Sequence, residues 1–383
     1  MRSLFLLLLL TTATASFSQS FYGRTTGRLP YLAYGLGEDR LGGAKMTYLD
    51  SNVLVKVVDS NRGDYKVQLS AQHAAYLPKS AFRRDDSVKV LPTYLTGSWR
   101  AWGDSLYDYL SISLPEKLPY RSLQQTSPSR IVVDIFGAVS NTNWITQLKT
   151  FKEIRNVWYE QLEDDVFRVF IELKHRQHWG HSLAYRGNAL VVRVKRQPEK
   201  LKLKHLKIAV DAGHGGAQTG ASGINTKILE KDYTLKIAKE LEAALKKKGV
   251  EVMMTRTHDT DVVMADRLQM LKEAAPDLLL SVHLNSSGNK TVKGTSTYYK
   301  HIGFRPLSVA ILDRMLELGL ANFGNIGSFN FSLSGPTDYP NCLVEVAFLS
   351  NEEDEKRILD PKFHKEVAKK IVQGVEDWLK EID

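Results

Sequence analysis

Lys207-Ile208-Ala209-Val210-Asp211-Ala212-Gly213-His214-Gly215-Gly216 is the stretch that decides how this 383-residue chain is read. Ile208 to Val210 is a short apolar run of the kind that forms a buried strand, and it stops at Asp211 and a cluster of glycines. In open α/β sheets ligands gather beyond the carboxyl ends of strands, which is where this turn would place His214. The glycines allow a sharp backbone turn and leave the imidazole uncrowded. One histidine in a glycine loop says little, so the weight rests on its partners downstream.

From His214 to the end, strand and helix patterns alternate, the signature of an α/β domain. Helical periodicity runs from about Asp232 to Lys248 and stops at Gly249. Strand runs are expected over Val250–Thr255, Leu278–Val282, Gly294–Tyr299 and Leu343–Phe348. Further helices are expected over Met264–Ala275, Arg305–Leu320 and Pro361–Glu381. The last has Phe363, Val367, Ile371, Val375 and Trp378 on one side. The segment Ala321–Tyr339, rich in Gly, Ser and Asn, is expected to be a flexible rim loop.

Upstream, the composition changes. Met1-Arg2, the apolar Leu4–Leu10 and Ala13-Thr14-Ala15 have the layout of an export signal, assigned to residues 1–20, with an apolar run too short to span a bilayer. No later segment is apolar enough for a span, and the protein is expected outside the cytoplasm, periplasmic or wall-associated. Residues 21–91 show short alternating runs, such as Val53–Val58 and Asp64–Leu69, separated by Gly and Asn/Asp turns, and resemble a bacterial SH3-like module. Residues 92–198 form a second β-rich unit containing Ile131-Val132-Val133-Asp134-Ile135-Phe136-Gly137 and the alternating Val166–Leu173. This unit is similar to the AMIN domains that accompany cell-wall amidases. Glu199–Lys204 is a charged connector, and residues 205–383 form the α/β unit beyond it. The expected architecture is therefore multidomain: two small all-β modules, then an α/β catalytic domain with a twisted, mostly parallel sheet flanked by helices.

Charge is divided unevenly. The net charge is +9, but residues 1–204 hold 29 Lys and Arg against 18 Asp and Glu, while residues 205–383 hold 23 against 25. The plain reading of a basic front half is solubility; the sharper one is attraction to an anionic polymer, for which cell wall is the candidate in an exported protein. No basic-aromatic motif for nucleic acid appears. The single cysteine, Cys342, excludes an intramolecular disulfide and a zinc site built on paired cysteines. His175, His178 and His181 are spaced three apart, which invites a metal reading, but Trp179-Gly180 interrupts any shared helical face and loop histidines are the default.

Four residues carry the chemistry. His214 lies just after the first strand, Glu230 opens the first helix, His283 ends the Leu278 strand, and Glu345 lies inside the last strand. Two imidazoles and a carboxylate are a ligand set of hydrolytic zinc sites, with a fourth position left open. A further carboxylate can accept a proton from water and pass it to a leaving amine. Each residue also has a plainer reading. A histidine at a strand end is usually just a satisfied polar residue, and Glu230 suits the positive end of a helix. Glu345, bracketed by Val344, Val346 and Phe348, is costly to bury without a partner, for which Arg256 or Arg267 would serve.

The order Val-Asp-Ala-Gly-His-Gly-Gly (210–216), Leu-Glu-Lys-Asp (229–232), Thr-Arg-Thr-His-Asp (255–259), Ser-Val-His-Leu-Asn (281–285) and Val-Glu-Val-Ala-Phe-Leu-Ser-Asn (344–351) resembles the zinc-dependent N-acetylmuramoyl-L-alanine amidases of the AmiC type, over residues 206–383. The resemblance implies one zinc on His214, Glu230 and His283, with Glu345 as the catalytic carboxylate. It implies peptidoglycan as substrate, cut between N-acetylmuramic acid and L-alanine of the stem peptide. Some such amidases carry a helical insertion that covers the zinc until an activator moves it. Here the 62 residues from His283 to Glu345 are used by expected elements, so an open site that requires no activator protein is expected. A non-catalytic wall-binding protein and a zinc peptidase acting within the stem peptide are the competing readings. A dinucleotide-binding enzyme fits worst, because Gly213-His214-Gly215-Gly216 lacks the spaced-glycine fingerprint.

Overall fold

The computed structural model describes residues 20–36, 44–91 and 93–382. The expected export signal, apart from Ser20, lies outside the described residues.

The C-terminal half is built on a six-stranded sheet. Its strands are β1 (Lys207–Ala212), β2 (Glu251–Met254), β3 (Leu278–Asn285), β4 (Thr295–Tyr298), β5 (Asn322–Ile326) and β6 (Asn341–Phe348). They lie in the order β2-β1-β3-β6-β4-β5. The sheet is mixed: β4 runs antiparallel to β6, and the other neighbours are parallel. Five helices accompany it: α1 (Glu230–Lys247), α2 (Met264–Ala274), α3 (Arg305–Leu316), α4 (Glu352–Leu359) and α5 (Pro361–Glu381).

The two-residue period of a strand sorts β1 between two cores. Ile208, Val210 and Ala212 join the large cluster that includes Ile237 and Leu241 of α1, Ile311 of α3, and Val367 and Ile371 of α5. Ala209, between them, points the other way, towards Leu268 and Leu271 of α2. Both faces of β1 are therefore covered, which is why Ile208 to Val210 are all apolar. Helix α1 ends where Gly249 takes a φ of +80°, a left-handed stop that suits glycine.

Two elements differ from the sequence expectation. Residues Asn322–Ile326, read as loop, form β5 along the edge of β4. Pairing with an exposed edge outweighs the weak strand propensity of a Gly- and Asn-containing run. Helix α4 was also unforeseen, although its signal is present. Asn351 caps it by accepting from the backbone N–H groups of Glu353 and Asp354, and the first turn is acidic.

The front half is all β. A seven-stranded antiparallel sheet spans Phe21 to Arg84. After it come a five-stranded sheet centred on Tyr107–Ile112 and a four-stranded antiparallel sheet centred on Ser129–Phe136 and Val166–Leu173. Buried side chains from all three sheets, among them Val55, Leu77, Leu110, Val133, Phe167 and Val192, form one continuous cluster.

This β half is joined to the α/β half by more than the connector. Trp179 is buried with the α/β core and lies 5.2 Å, ring to ring, from Trp378 of α5. Gln177 bridges the two, accepting from Trp378 Nε1 at 3.1 Å and donating to the Gly303 carbonyl at 2.8 Å. Leu203 of the connector is itself buried in the α/β core. The charged appearance of 199–204 hides an anchored segment.

Candidate metal centre and active site

Three of the four singled-out residues meet at the carboxyl end of the sheet. The ligating atoms of His214, Glu230 and His283 all lie within 4.8 Å of one another. Glu230 Oε1 stands 3.1 Å from His214 Nε2 and 3.0 Å from His283 Nδ1. Its carboxylate is fixed from behind, because Oε1 also accepts from the Leu284 N–H at 3.1 Å and Oε2 from the Ala221 N–H at 2.8 Å.

The glycines are needed by this packing. A Cβ on Gly213 would lie 2.4 Å from His283 Cε1, and one on Gly220 would lie 2.4 Å from Glu230 Oε2. Only bare backbone lets the loop close on the ligand side chains. His214 adopts a left-handed φ of +61°, a strained conformation for a non-glycine residue, held by its surroundings.

Those surroundings include three residues whose part the sequence reading missed. Arg267 ion-pairs with Asp211 at 2.6 Å and donates to the carbonyls of Ala212 and His214. Arg256 donates to the carbonyls of Ala212, Gly213 and Lys231. Asp211 further accepts from Thr255 Oγ1 at 2.7 Å and Ser281 Oγ at 2.6 Å. Burial alone would raise the Asp211 pKa, but Arg267, His283 and these hydroxyls outweigh it and hold the carboxyl low. Two arginines thus brace the turn that presents His214. An Arg in Thr255-Arg256-Thr257 and the Asp of Asp211-Ala212-Gly213 were the only signals of this in the sequence.

Glu345 pairs with neither arginine, contrary to the ion pair considered from sequence. It lies directly opposite His283 across the parallel β3–β6 pair and is 6% exposed. Its Oε2 is buried without a hydrogen-bond partner. Burial pushes its pKa up to about 7, with nearby Glu230 adding and His283 opposing. An unpaired carboxyl in such a place is costly to keep, and its natural explanation is a partner outside the chain.

The donor set fits a zinc ion. Tetrahedral Zn–N and Zn–O bonds of about 2.0–2.1 Å place neighbouring ligand atoms about 3.3 Å apart, close to the 3.1 and 3.0 Å between Glu230 Oε1 and the His214 and His283 nitrogens. Burial opposes ionisation of Glu230, but its bonds to His214 and His283 outweigh this and keep it well below the usual carboxylate range, charged as a ligand must be.

The His175, His178 and His181 group does not converge. His175 Nδ1 contacts Glu153 at 2.7 Å, His178 Nε2 the Gln125 carbonyl at 2.8 Å, and His181 Nε2 Ser122 Oγ at 2.9 Å. The strand beginning at His181 and the turn before it send the three rings to different partners.

Residues 208–377 match the family model of the N-acetylmuramoyl-L-alanine amidases, and residues 99–196 match that of the AMIN domain. The C-terminal domain belongs to the N-acetylmuramoyl-L-alanine amidase family. The amidase domain is 36% identical over 179 residues to a probable cell wall amidase, LytH, of Staphylococcus aureus, a match covering 46% of this chain and 60% of that protein. Among solved structures it resembles the catalytic domain of the amidase CwlV from Bacillus (Paenibacillus) polymyxa var. colistinus, with 31% identity, a TM-score of 0.44, and coverage of 46% of this chain and 99% of that one. It also resembles the CwlD amidase of Clostridioides difficile, solved in complex with the GerS lipoprotein, with 25% identity, a TM-score of 0.44, and coverage of 46% and 99%. Among the described residues, no helix is long and apolar enough to cross a membrane.

Proposed function

We propose that the protein is a zinc-dependent N-acetylmuramoyl-L-alanine amidase that hydrolyses the amide between the lactyl group of N-acetylmuramic acid and L-alanine of the peptidoglycan stem. The observation that carries this reading is the unpartnered Glu345 carboxyl placed opposite His283, next to a His214, Glu230 and His283 cluster suited to one zinc. His214, Glu230 and His283 would hold the metal, which when bound supplies Lewis-acid polarisation of the scissile carbonyl and of water.

The chain's own groups do the rest. Glu345, with a pKa raised to about 7 by burial, can take the proton of the attacking water and return it to the leaving amine of L-alanine. Arg256 and Arg267 hold the His214 turn in place, so that the ligand side chains need little rearrangement. The SH3-like and AMIN-like modules at 21–91 and 92–198 would hold the enzyme on the wall, to which the protein is exported. The amidase domain would need no separate activator, because the 62 residues from His283 to Glu345 are taken up by β4, α3, β5 and their loops.

The test is release of free stem peptide and bare glycan from purified peptidoglycan by the full chain, with and without chelator. Cleavage inside the stem peptide, or none in the presence of zinc, would overturn the reading.

A further inference from the structure

The segment between β5 and β6, residues 327–340, touches both the metal cluster and the β half. At its start Phe329 and Phe331 pack on each other at 4.6 Å and on Tyr298 at 5.0 and 5.1 Å. Phe331 lies nearly parallel to the His283 ring, 11° between planes at 6.4 Å. It forms an aromatic wall beside a metal-ligating imidazole.

The other end is tied to the β half. The His181 N–H donates to the Thr337 carbonyl at 2.7 Å, and Thr337 Oγ1 donates to the His181 carbonyl at 2.7 Å. Arg193 lies 3.5 Å from Asp338. At Gly180 the backbones approach so closely that a Cβ would stand 2.1 Å from the Asp338 carbonyl oxygen. Nearer the tip, the Lys45 N–H donates to Asn330 Oδ1 at 3.2 Å, and the Lys45 carbonyl accepts from Lys300 Nζ at 2.6 Å. Between these ties lies a cavity of about 260 Å³, lined by Tyr48, Ser182, Arg193 and Thr337 among others. Beside the cavity Leu333 and Tyr339 of the segment pack with Leu29 and Tyr48 of the β half, so apolar contact and hydrogen bonds together make the connection.

We propose that the β half clamps residues 327–340 and thereby positions Phe331 as a wall of the substrate site, with Thr337 as the principal positioning residue. The β modules then shape substrate binding directly, in addition to any hold they have on the wall. Phe331 and Thr337 lie outside the proposed ligand set, so the clamp bears on substrate affinity and not on metal retention. This inference rests on the amidase reading for its effect on affinity, while the clamp itself does not.

The experiment uses the full chain with Thr337→Val, which keeps shape but removes the hydroxyl, and Thr337→Ser, which restores it. Amide hydrogen exchange of residues 327–335 should speed up about fivefold in Thr337→Val, the scale of one lost hydrogen bond. KM for a soluble muropeptide should rise by about the same factor, with kcat within about twofold and zinc content unchanged. Thr337→Ser should return both readings to those of the unmodified chain. Unchanged exchange would overturn the clamp. Faster exchange with an unchanged KM would overturn the role of Phe331 as a wall. Should the unmodified chain cleave no muropeptide, the reading of the function fails, and the exchange measurement still decides the clamp.

Discussion

Two groups of histidines in this protein look alike in composition and behave oppositely. His175, His178 and His181 are close in sequence, yet each ring has its own partner, in Glu153, the Gln125 carbonyl and Ser122. His214 and His283 are far apart in sequence, yet their nitrogens converge on one Glu230 oxygen. The difference lies in the backbone that carries them. Parallel strands bring their carboxyl ends together, so residues at the ends of β1 and β3 meet however long the intervening chain. A turn entering a strand spreads neighbouring side chains apart. Close spacing was therefore the weaker sign of a metal site.

The sharpest way to break the comparison is to remove one converging histidine. His283→Ala should abolish both zinc binding and hydrolysis, while His178→Gln should leave zinc content untouched. Elemental analysis of both proteins decides it. Zinc retained in His283→Ala, or lost in His178→Gln, would reverse the assignment of the two groups.

Glu345→Gln probes the residue that sits beside the converging group without belonging to it. Turnover should fall by about 10²–10⁴-fold, the range for loss of a general acid–base group, with zinc retained. A protein that had lost its zinc would place Glu345 among the ligands. Near-normal turnover would remove it from the chemistry.

Legibility in the sequence divides along the same line, between near and distant neighbours. Local signals were legible: helix α5 occupies the predicted Pro361–Glu381, and Glu230 opens α1 as predicted. Non-local ones were not. Nothing in Val344-Glu345-Val346 states that Glu345 will face His283, because register between strands β3 and β6 is set by the packing of the whole sheet. The same applies to Arg267, whose pairing with Asp211 joins α2 to β1. Strand β5 was hidden by its glycine and asparagines, and the shared core of the β half was hidden because alternation marks a buried face without naming what covers it. The four chemical residues were legible individually, and their convergence was legible only through resemblance to a family.

Acid should act on the diverging group. Burial lowers the His178 pKa to about 4, only partly offset by its bond to the Gln125 carbonyl, and His181 is lowered further by burial and by its histidine neighbours. Both rings are neutral in the folded protein above that range. Between about pH 6.5 and 4 the unfolded chain binds a proton that folded His178 refuses, so the stability this ring contributes falls as pH falls through this window and levels off below it. The loss for His178 is on the order of 3 kcal/mol. His178 packs against Gly303 of the amidase domain, so the junction between the halves should loosen first. Thermal unfolding measured from pH 7 to 4 should show the slope, and His178→Gln should flatten it. An equal slope in the variant would place the acid sensitivity elsewhere.

The smallest expected effect belongs to His175, and it tests whether the diverging group has any metal affinity left. Its side chain is 44% exposed, and its Nδ1 contacts the buried Glu153 at 2.7 Å. Of the three it is the one a solvent metal ion could reach. Glu153 does not depend on it alone, because the carboxylate also accepts from the N–H groups of His175 and Gln197, at 3.3 and 3.2 Å. Both bonds survive a change of side chain at 175. His175→Gln should therefore cost about 1 kcal/mol or less, the worth of one partly exposed hydrogen bond. Zinc content should stay at the value of the unmodified chain, because a single carboxylate and a single imidazole do not make up the four-coordinate set that zinc takes. Thermal unfolding and elemental analysis on the same preparations are sufficient. A drop in bound metal with activity intact would mean that the front half holds an ion of its own, and the contrast between the two histidine groups would then be one of affinity and not of kind.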